Sequence, residues 1–384
     1  MEAALDGMDG ARLDRITKVI AWDIEQEQYD GAVVLVARRG KVAYHQAIGF
    51  AERKTQRPAT IDDVFCLFSV TKTFTAVALL QCVDRGDIRL FTPVADVIPE
   101  FGTKGKQHVT VAQLLNHTAG LSSDLPMMDP AKIGDTTAVA LAVADQPLKT
   151  TPGRIVSYSP VGAFAVLGEI VRRLDGGSRP VRQILAEDIF DPLEMTSTSL
   201  TLRPDLAERR SPVVVRDWTP AIIPPEGLEN FNLVQSETYE MPGGGGIGTA
   251  QDLFLFGEML RRGGELNGVR ILSPALVDLA LQNHTGSEVN HIFDGMCETH
   301  GWAPFPAYLG LGFFLRGEGL FPMPFGATAS SRTFGGLGAG STMFWVDPAR
   351  DVTFVCLTTG TLEDSSNFER MHKLSDLALA ALTD

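Results

Sequence analysis

Three short segments concentrate the residue types that covalent catalysis uses. The first is Ser69-Val-Thr-Lys72, which opens onto the apolar run Phe74-Thr-Ala-Val-Ala-Leu-Leu80. That run reads as a buried helix, and Ser69 then stands at its N-terminus. Residues three apart share a helix face, so Lys72 can reach the Ser69 hydroxyl. An ammonium is costly to keep inside an apolar helix, and a desolvated lysine can act as the serine's base. The helix N-terminus also offers unpaired N–H groups to a developing oxyanion. Taken alone, S-x-x-K spacing arises about once by chance in a chain of this length, and the competing reading is a serine N-cap followed by a solvated lysine.

The second segment is Tyr158-Ser-Pro160, between the turn Thr151-Pro-Gly153 and a helical pattern holding Gly162, Gly168 and Glu169. A tyrosine at a helix start can hydrogen-bond a lysine and move protons; its bland alternative is a ring packed at a seam. The third is Phe334-Gly-Gly-Leu-Gly-Ala-Gly-Ser341, running into a strand that ends at Trp345-Val-Asp-Pro348. Glycines there allow close approach of backbone to a ligand, or mark a bulge. Gly243-Gly-Gly-Gly-Ile-Gly248 matches the dinucleotide fingerprint formally, but it follows Met241-Pro242 and no strand. The sequence has neither a G-x-S-x-G elbow nor a P-loop.

Composition narrows the classes. The 384 residues carry 33 Lys and Arg against 47 Asp and Glu, a net charge of −14. Without a basic stripe, the chain is not expected to bind nucleic acid or an anionic membrane. The first fifteen residues hold Glu2, Asp6, Asp9, Arg12 and Asp14 and read as no signal peptide; no run of 18 apolar residues occurs. The expected location is the cytoplasm. Cys66, Cys82, Cys297 and Cys356 lack C-x-x-C spacing and the seven histidines are dispersed, so neither a metal nor another cofactor is expected.

The elements that must hold these residues follow from periodicity. A helix is expected over 11–28, then two β-runs over 31–38 and 41–47 joined at Arg39-Gly40 as a hairpin. Strands at 341–346 and 352–358 and a helix over 368–382 close the chain, and both chain ends can share one sheet. Between them, 111–117, 137–144, 161–174 and 181–190 show helical spacing. The fold class is therefore α/β, a sandwich with an inserted helical region. Irregular stretches at 203–242 and 284–324 are long enough to wall a cleft. Phe305, Tyr308, Phe313, Phe314, Phe321 and Phe325 make an apolar pocket there, or else core.

In this order the three segments resemble the serine β-lactamase and penicillin-binding-protein superfamily, in its class C β-lactamase-like branch with family VIII carboxylesterases, D-aminopeptidases and lovastatin-type acyltransferases. The likeness spans most of the chain. It extends to Leu114-Leu-Asn-His-Thr-Ala-Gly-Leu121, to 158–169, to 243–252 and to 264–274. The resemblance implies an antiparallel-sheet sandwich flanked by helices, built from 1–90 and 236–384, with an all-α region at 91–235 and the active-site cleft between them. It implies Ser69 as acylated nucleophile, Lys72 as base and Tyr158 as proton shuttle. The oxyanion hole would use the N–H of Ser69 and of Ala339, or of Leu337 in an alternative register that puts Phe334 in the cationic position of the family motif. Pro160, Phe334, Gly336 and Leu337 would line the substrate.

Two departures set the expected activity. Many relatives have Tyr-x-Asn, where this chain has Pro160; many place Lys or His in the third motif, where this chain has Gly336. Losing a charge-assisted hydrogen bond to a substrate carboxylate costs about 1–3 kcal/mol. Family VIII esterases are similar in both respects. The expectation is thus a serine carboxylesterase acting on a small-molecule ester with an apolar portion, and weak or absent β-lactamase activity. An acyltransferase using an alcohol acceptor, an amidase or D-aminopeptidase, and a catalytically silent binding protein are the alternatives.

Overall fold

Residues 31–36, Gly-Ala-Val-Val-Leu-Val, show no polar alternation, and a strand of that kind must be covered on both faces. The computed structural model, which describes residues 6–219 and 221–384, meets that demand. Strand β1 (Gly31–Arg38) lies near the middle of a seven-stranded sheet, buried along its whole length. It pairs with β2 (Lys41–Glu52) through the two-residue turn Arg39-Gly40, whose φ values of 52° and 79° are those a tight hairpin needs. Short β3 (Arg57–Pro58) follows. The last third of the chain adds β4 (Phe314–Leu315), β5 (Phe334–Gly338), β6 (Thr342–Asp347) and β7 (Val352–Thr359). The spatial order is β3-β2-β1-β7-β6-β5-β4, and the paired strands are antiparallel throughout. Both chain ends do share one sheet.

Strand periodicity sorts the side chains into two layers. Ala32, Val34, Val36, Met343, Trp345 and Phe354 face an outer layer made by α1 (Gly10–Glu25) and the C-terminal helix. Val33, Leu35, Ala37, Phe344, Val346 and Val355 face the larger inner core, with α2 (Thr71–Asp84), α3 (Thr136–Ala144), α4 (Gly162–Leu174) and α5 (Ala250–Arg261). Helix α2 is buried from Thr71 to Leu80, as a helix apolar on every side must be.

The expected elements differ mainly at their ends. Helix α1 stops at Glu25, because Glu27 takes a left-handed φ of 57°. The C-terminal helix, α6 (Asp364–Leu379), starts four residues before the apolar pattern does. Its first turn is polar, and the Glu363 carboxylate caps the amides of Ser365 and Ser366. Among the described residues no helix is long and apolar enough to cross a membrane.

Candidate active site

Ser69 sits in a single tight helical turn, Phe68–Val70, immediately before α2. Val70 occupies the N-cap of α2 and no side chain caps it, so Ser69 is not a capping serine. Phe68 holds a left-handed φ of 46°, a conformation that costs a non-glycine residue about 1–2 kcal/mol. Neighbours hold that turn in place: Leu67 N–H donates to Gly246 O (2.8 Å), Thr342 Oγ1 donates to Leu67 O (3.0 Å), and the Phe68 ring meets the Phe231 ring at 5.2 Å.

Lys72, one turn on, is 4% exposed. Its Nζ lies 3.0 Å from Ser69 Oγ, 2.7 Å from Pro160 O and 2.6 Å from Gly243 O. The two carbonyls can only accept, so a neutral amine spends both N–H groups on them and turns its lone pair to Ser69. Desolvation lowers the Lys72 pKa to about 7, which makes that neutral form abundant near pH 7. Among the described residues no carboxylate is ion-paired to it to hold the charge.

Tyr158 stands on the other side of the serine, 6% exposed. Burial pushes its phenol above the ordinary range, opposed by hydrogen bonding with Ser69. Tyr158 is therefore a protonated phenol at neutral pH, a donor. The Lys72 ammonium site lies 5.0 Å from its ring centre. His117 packs against Tyr158, ring centres 4.4 Å apart, and its Nδ1 accepts the Ser159 amide at 3.2 Å. Burial, and then the charge of Lys72, lower the His117 pKa to about 3, so it is neutral.

The opposite wall is β5. Its Gly336 faces Thr73 and Val70, where a Cβ would lie 3.1 Å from Thr73 Cγ2. The Arg316 amide donates to Thr333 O at 2.7 Å along the β4 edge, and β4 extends only as far as Gly335. Backbone groups alternate along a strand, so the Leu337 N–H points to that same edge beyond the end of β4. Ala339 lies past the strand, in the turn closed by Ser341 N–H to Gly338 O.

These walls enclose a cleft of about 510 Å³, mouth included, lined by Ser69, Tyr158, Leu337, Ala339 and a set of apolar side chains. Of the expected site residues, Ser69, Lys72, Tyr158 and Gly336 meet, with Gly336 at the deep end beside Lys72. Pro160 contributes its carbonyl to Lys72. Phe334 does not reach the cleft: it is 1% exposed, on the inner face of β5 with its ring against Phe313. The irregular stretches do wall the cleft, through Ile222, Ile223, Phe293 and Phe314, but Phe305 and Phe321 stack on each other behind and Phe325 is core.

Sequence reasoning gave no role to His117, Gly243, Asp364 or Phe368. The glycine run around Gly243 was a usable signal, because a Cβ at Gly243 would crowd Pro160 O at 2.9 Å and one at Gly246 would crowd Thr71 Oγ1 at 2.7 Å. It serves to lay backbone against the start of α2, not to hold phosphates. Among the described residues no group of His, Cys, Asp and Glu is placed to hold a metal ion.

Known proteins are similar to this chain in sequence and fold. Penicillin-binding protein 4 of Amycolatopsis lactamdurans is 32% identical over 278 residues, covering 71% of this chain and 70% of its own. Esterase EstB of Burkholderia gladioli is 32% identical over 207 residues, 49% of this chain and 52% of its own. The crystal structure of a penicillin-binding-protein homologue from Caulobacter crescentus superposes with a TM-score of 0.78 at 27% identity, over 97% of this chain and 98% of that one. The family model described as beta-lactamase matches residues 14–378. With that match and the antiparallel sheet and helices described above, the chain belongs to the beta-lactamase family.

Proposed function

We propose that this chain is a serine hydrolase that cleaves carboxylic esters through a covalent acyl-enzyme on Ser69. The observation that carries this reading is the Lys72 amine, whose two N–H groups are committed to Pro160 O and Gly243 O while its third direction meets Ser69 Oγ at 3.0 Å. Lys72 takes the hydroxyl proton as Ser69 Oγ attacks the ester carbonyl. The tetrahedral oxyanion is held by the Ser69 N–H and an N–H from the end of β5; strand alternation favours Leu337 over Ala339 for the second donor. The proton on Lys72 passes to the leaving alkoxide by way of the Tyr158 phenol, and water then attacks the acyl-enzyme by the reverse proton path. The residues divide between the two proposed regions: Ser69 and Lys72 in 1–90 with 236–384, Tyr158 in 91–235.

Ester rather than β-lactam chemistry is supported by Pro160, which lacks a side-chain amide, by the third motif, where neither Phe334 nor Gly336 brings a cation in either register, and by the likeness to EstB. Intact-mass measurement after exposure to p-nitrophenyl esters, an anilide and nitrocefin tests the reading. Short esters should turn over at least about a hundredfold faster than nitrocefin, and Ser69→Ala should lose both turnover and phosphonate labelling while its circular dichroism is unchanged. Labelling that survives Ser69→Ala places the nucleophile elsewhere.

A further inference from the structure

Among the described residues the cleft wall carries one carboxylate. Asp364, the first residue of α6, lines the same cavity as Ser69 and Tyr158, among Ile222, Phe293, Phe314 and Phe368. Its Oδ2 accepts the Ile222 amide at 2.8 Å, and its Oδ1 has no partner among the described residues. No Lys, Arg or His pairs with it; the side-chain charge that acts on it is Glu363, of like sign, and Glu363 is itself engaged by the amides of Ser365 and Ser366. The cation behind this wall, Arg370, bonds Gly340 O and Asn367 Oδ1 through Nη2 and lies against the Tyr29 ring; its Nε and Nη1 have no partner among the described residues, and it neither lines the cleft nor pairs with Asp364. Burial raises the Asp364 pKa to about 6, so the group is ionised at neutral pH, helped by the positive end of α6.

We propose that Asp364 sets the charge selectivity of the cleft, favouring esters that carry an ammonium group and rejecting those that carry a carboxylate. This rests on the ester-hydrolase reading of Ser69. Asp364 is half-buried, and an ionised carboxylate among apolar side chains there has lost part of its hydration without gaining a counter-charge. A bound ammonium supplies that charge, whereas a bound carboxylate adds a second negative charge where screening by salt is weak.

The test uses the full chain and esters of matched length ending in methyl, trimethylammonium or carboxylate, with the end group on the acyl chain in one set and on the alcohol in another. In at least one set, kcat/KM should favour the ammonium ester over the carboxylate ester by tenfold or more. In Asp364→Asn, which keeps an acceptor for the Ile222 amide, that ratio should fall at least about tenfold, chiefly through KM. A ratio within one variant cancels any general loss of activity. A ratio near one in both sets, or one unchanged in Asp364→Asn, overturns the proposal. Calorimetric binding of an alkylammonium and an alkylcarboxylate to Ser69→Ala protein decides the charge preference without turnover: tighter ammonium binding supports it, and equal or tighter carboxylate binding overturns it. Absence of any Ser69-dependent ester turnover, with the binding preference intact, would overturn the hydrolase reading alone.

Discussion

Two backbone carbonyls and one hydroxyl surround the Lys72 amine, and this small count decides what the lysine can do. Arginine keeps the charge but cannot deprotonate near neutral pH. Lys72→Arg should therefore lose about 10²–10⁴-fold in single-turnover acylation, measured by stopped-flow release of p-nitrophenol; near-native acylation would leave Lys72 only an electrostatic part. In the wild type, acylation should fall with unit slope below pH about 7, where the amine becomes protonated. The same residue ties stability to pH. Its pKa is lowered on folding, so between about 7 and its ordinary value near 10.5 the unfolded chain binds more protons than the folded one. Stability rises with pH wherever that holds, so the wild type should gain on Lys72→Met from pH 7 to pH 10 in urea midpoints.

Among the elements, the distance between β5 and the turn bearing Ser69 is set by absent side chains. A Cβ at Gly338 would overlap Thr342 Oγ1 and the Leu67 carbonyl oxygen. Both atoms belong to the hydrogen bond that ties the turn to β6. Gly338→Ala should push the strand off the turn, costing about 1–3 kcal/mol of stability. It should also lower kcat more than it raises KM, because the proposed oxyanion donors move apart while the apolar walls remain. Urea denaturation and steady-state kinetics on one preparation check both, and an unchanged kcat would detach β5 from the oxyanion hole. Gly336 is a milder case, its nearest neighbours at 3.0–3.4 Å.

For the whole molecule, the sheet is one surface with two cores, and the active site depends on the inner one. Trp345 is fully buried in the outer layer, stacked on Phe354 at 5.2 Å, with its Nε1–H on Ser375 Oγ at 2.9 Å. Trp345→Ala should cost about 3–5 kcal/mol, read from the urea midpoint. The loss would loosen α6 against the sheet, and α6 carries Asp364, Asn367 and Phe368 to the cleft. KM for esters should rise more than kcat falls, since Ser69 and Lys72 are held by the inner core. A midpoint shift below about 1 kcal/mol would show that the outer layer carries little of the fold.

Local sequence determined the hairpin at Arg39-Gly40, the buried strand β1, the all-apolar helix α2 and the pairing of Ser69 with Lys72. Each depends on contacts within a few residues or on a hydrophobic period that shows wherever the chain is read. Tertiary structure alone decided the rest. That Lys72 ends on the carbonyls of Pro160 and Gly243, 88 and 171 residues away, has no local signature, because a backbone carbonyl is present at every position. The resemblance assigned Phe334 to the substrate, but its side chain lies on the inner face of β5, since strand parity sends it into the core with Phe313. Asp364 could be read only as one acidic residue among 47 until folding set it against Ile222 and Phe368 with no cation beside it. A residue type and its spacing show what chemistry a side chain can do; its charge state and its partners follow from which distant segments strip its water away.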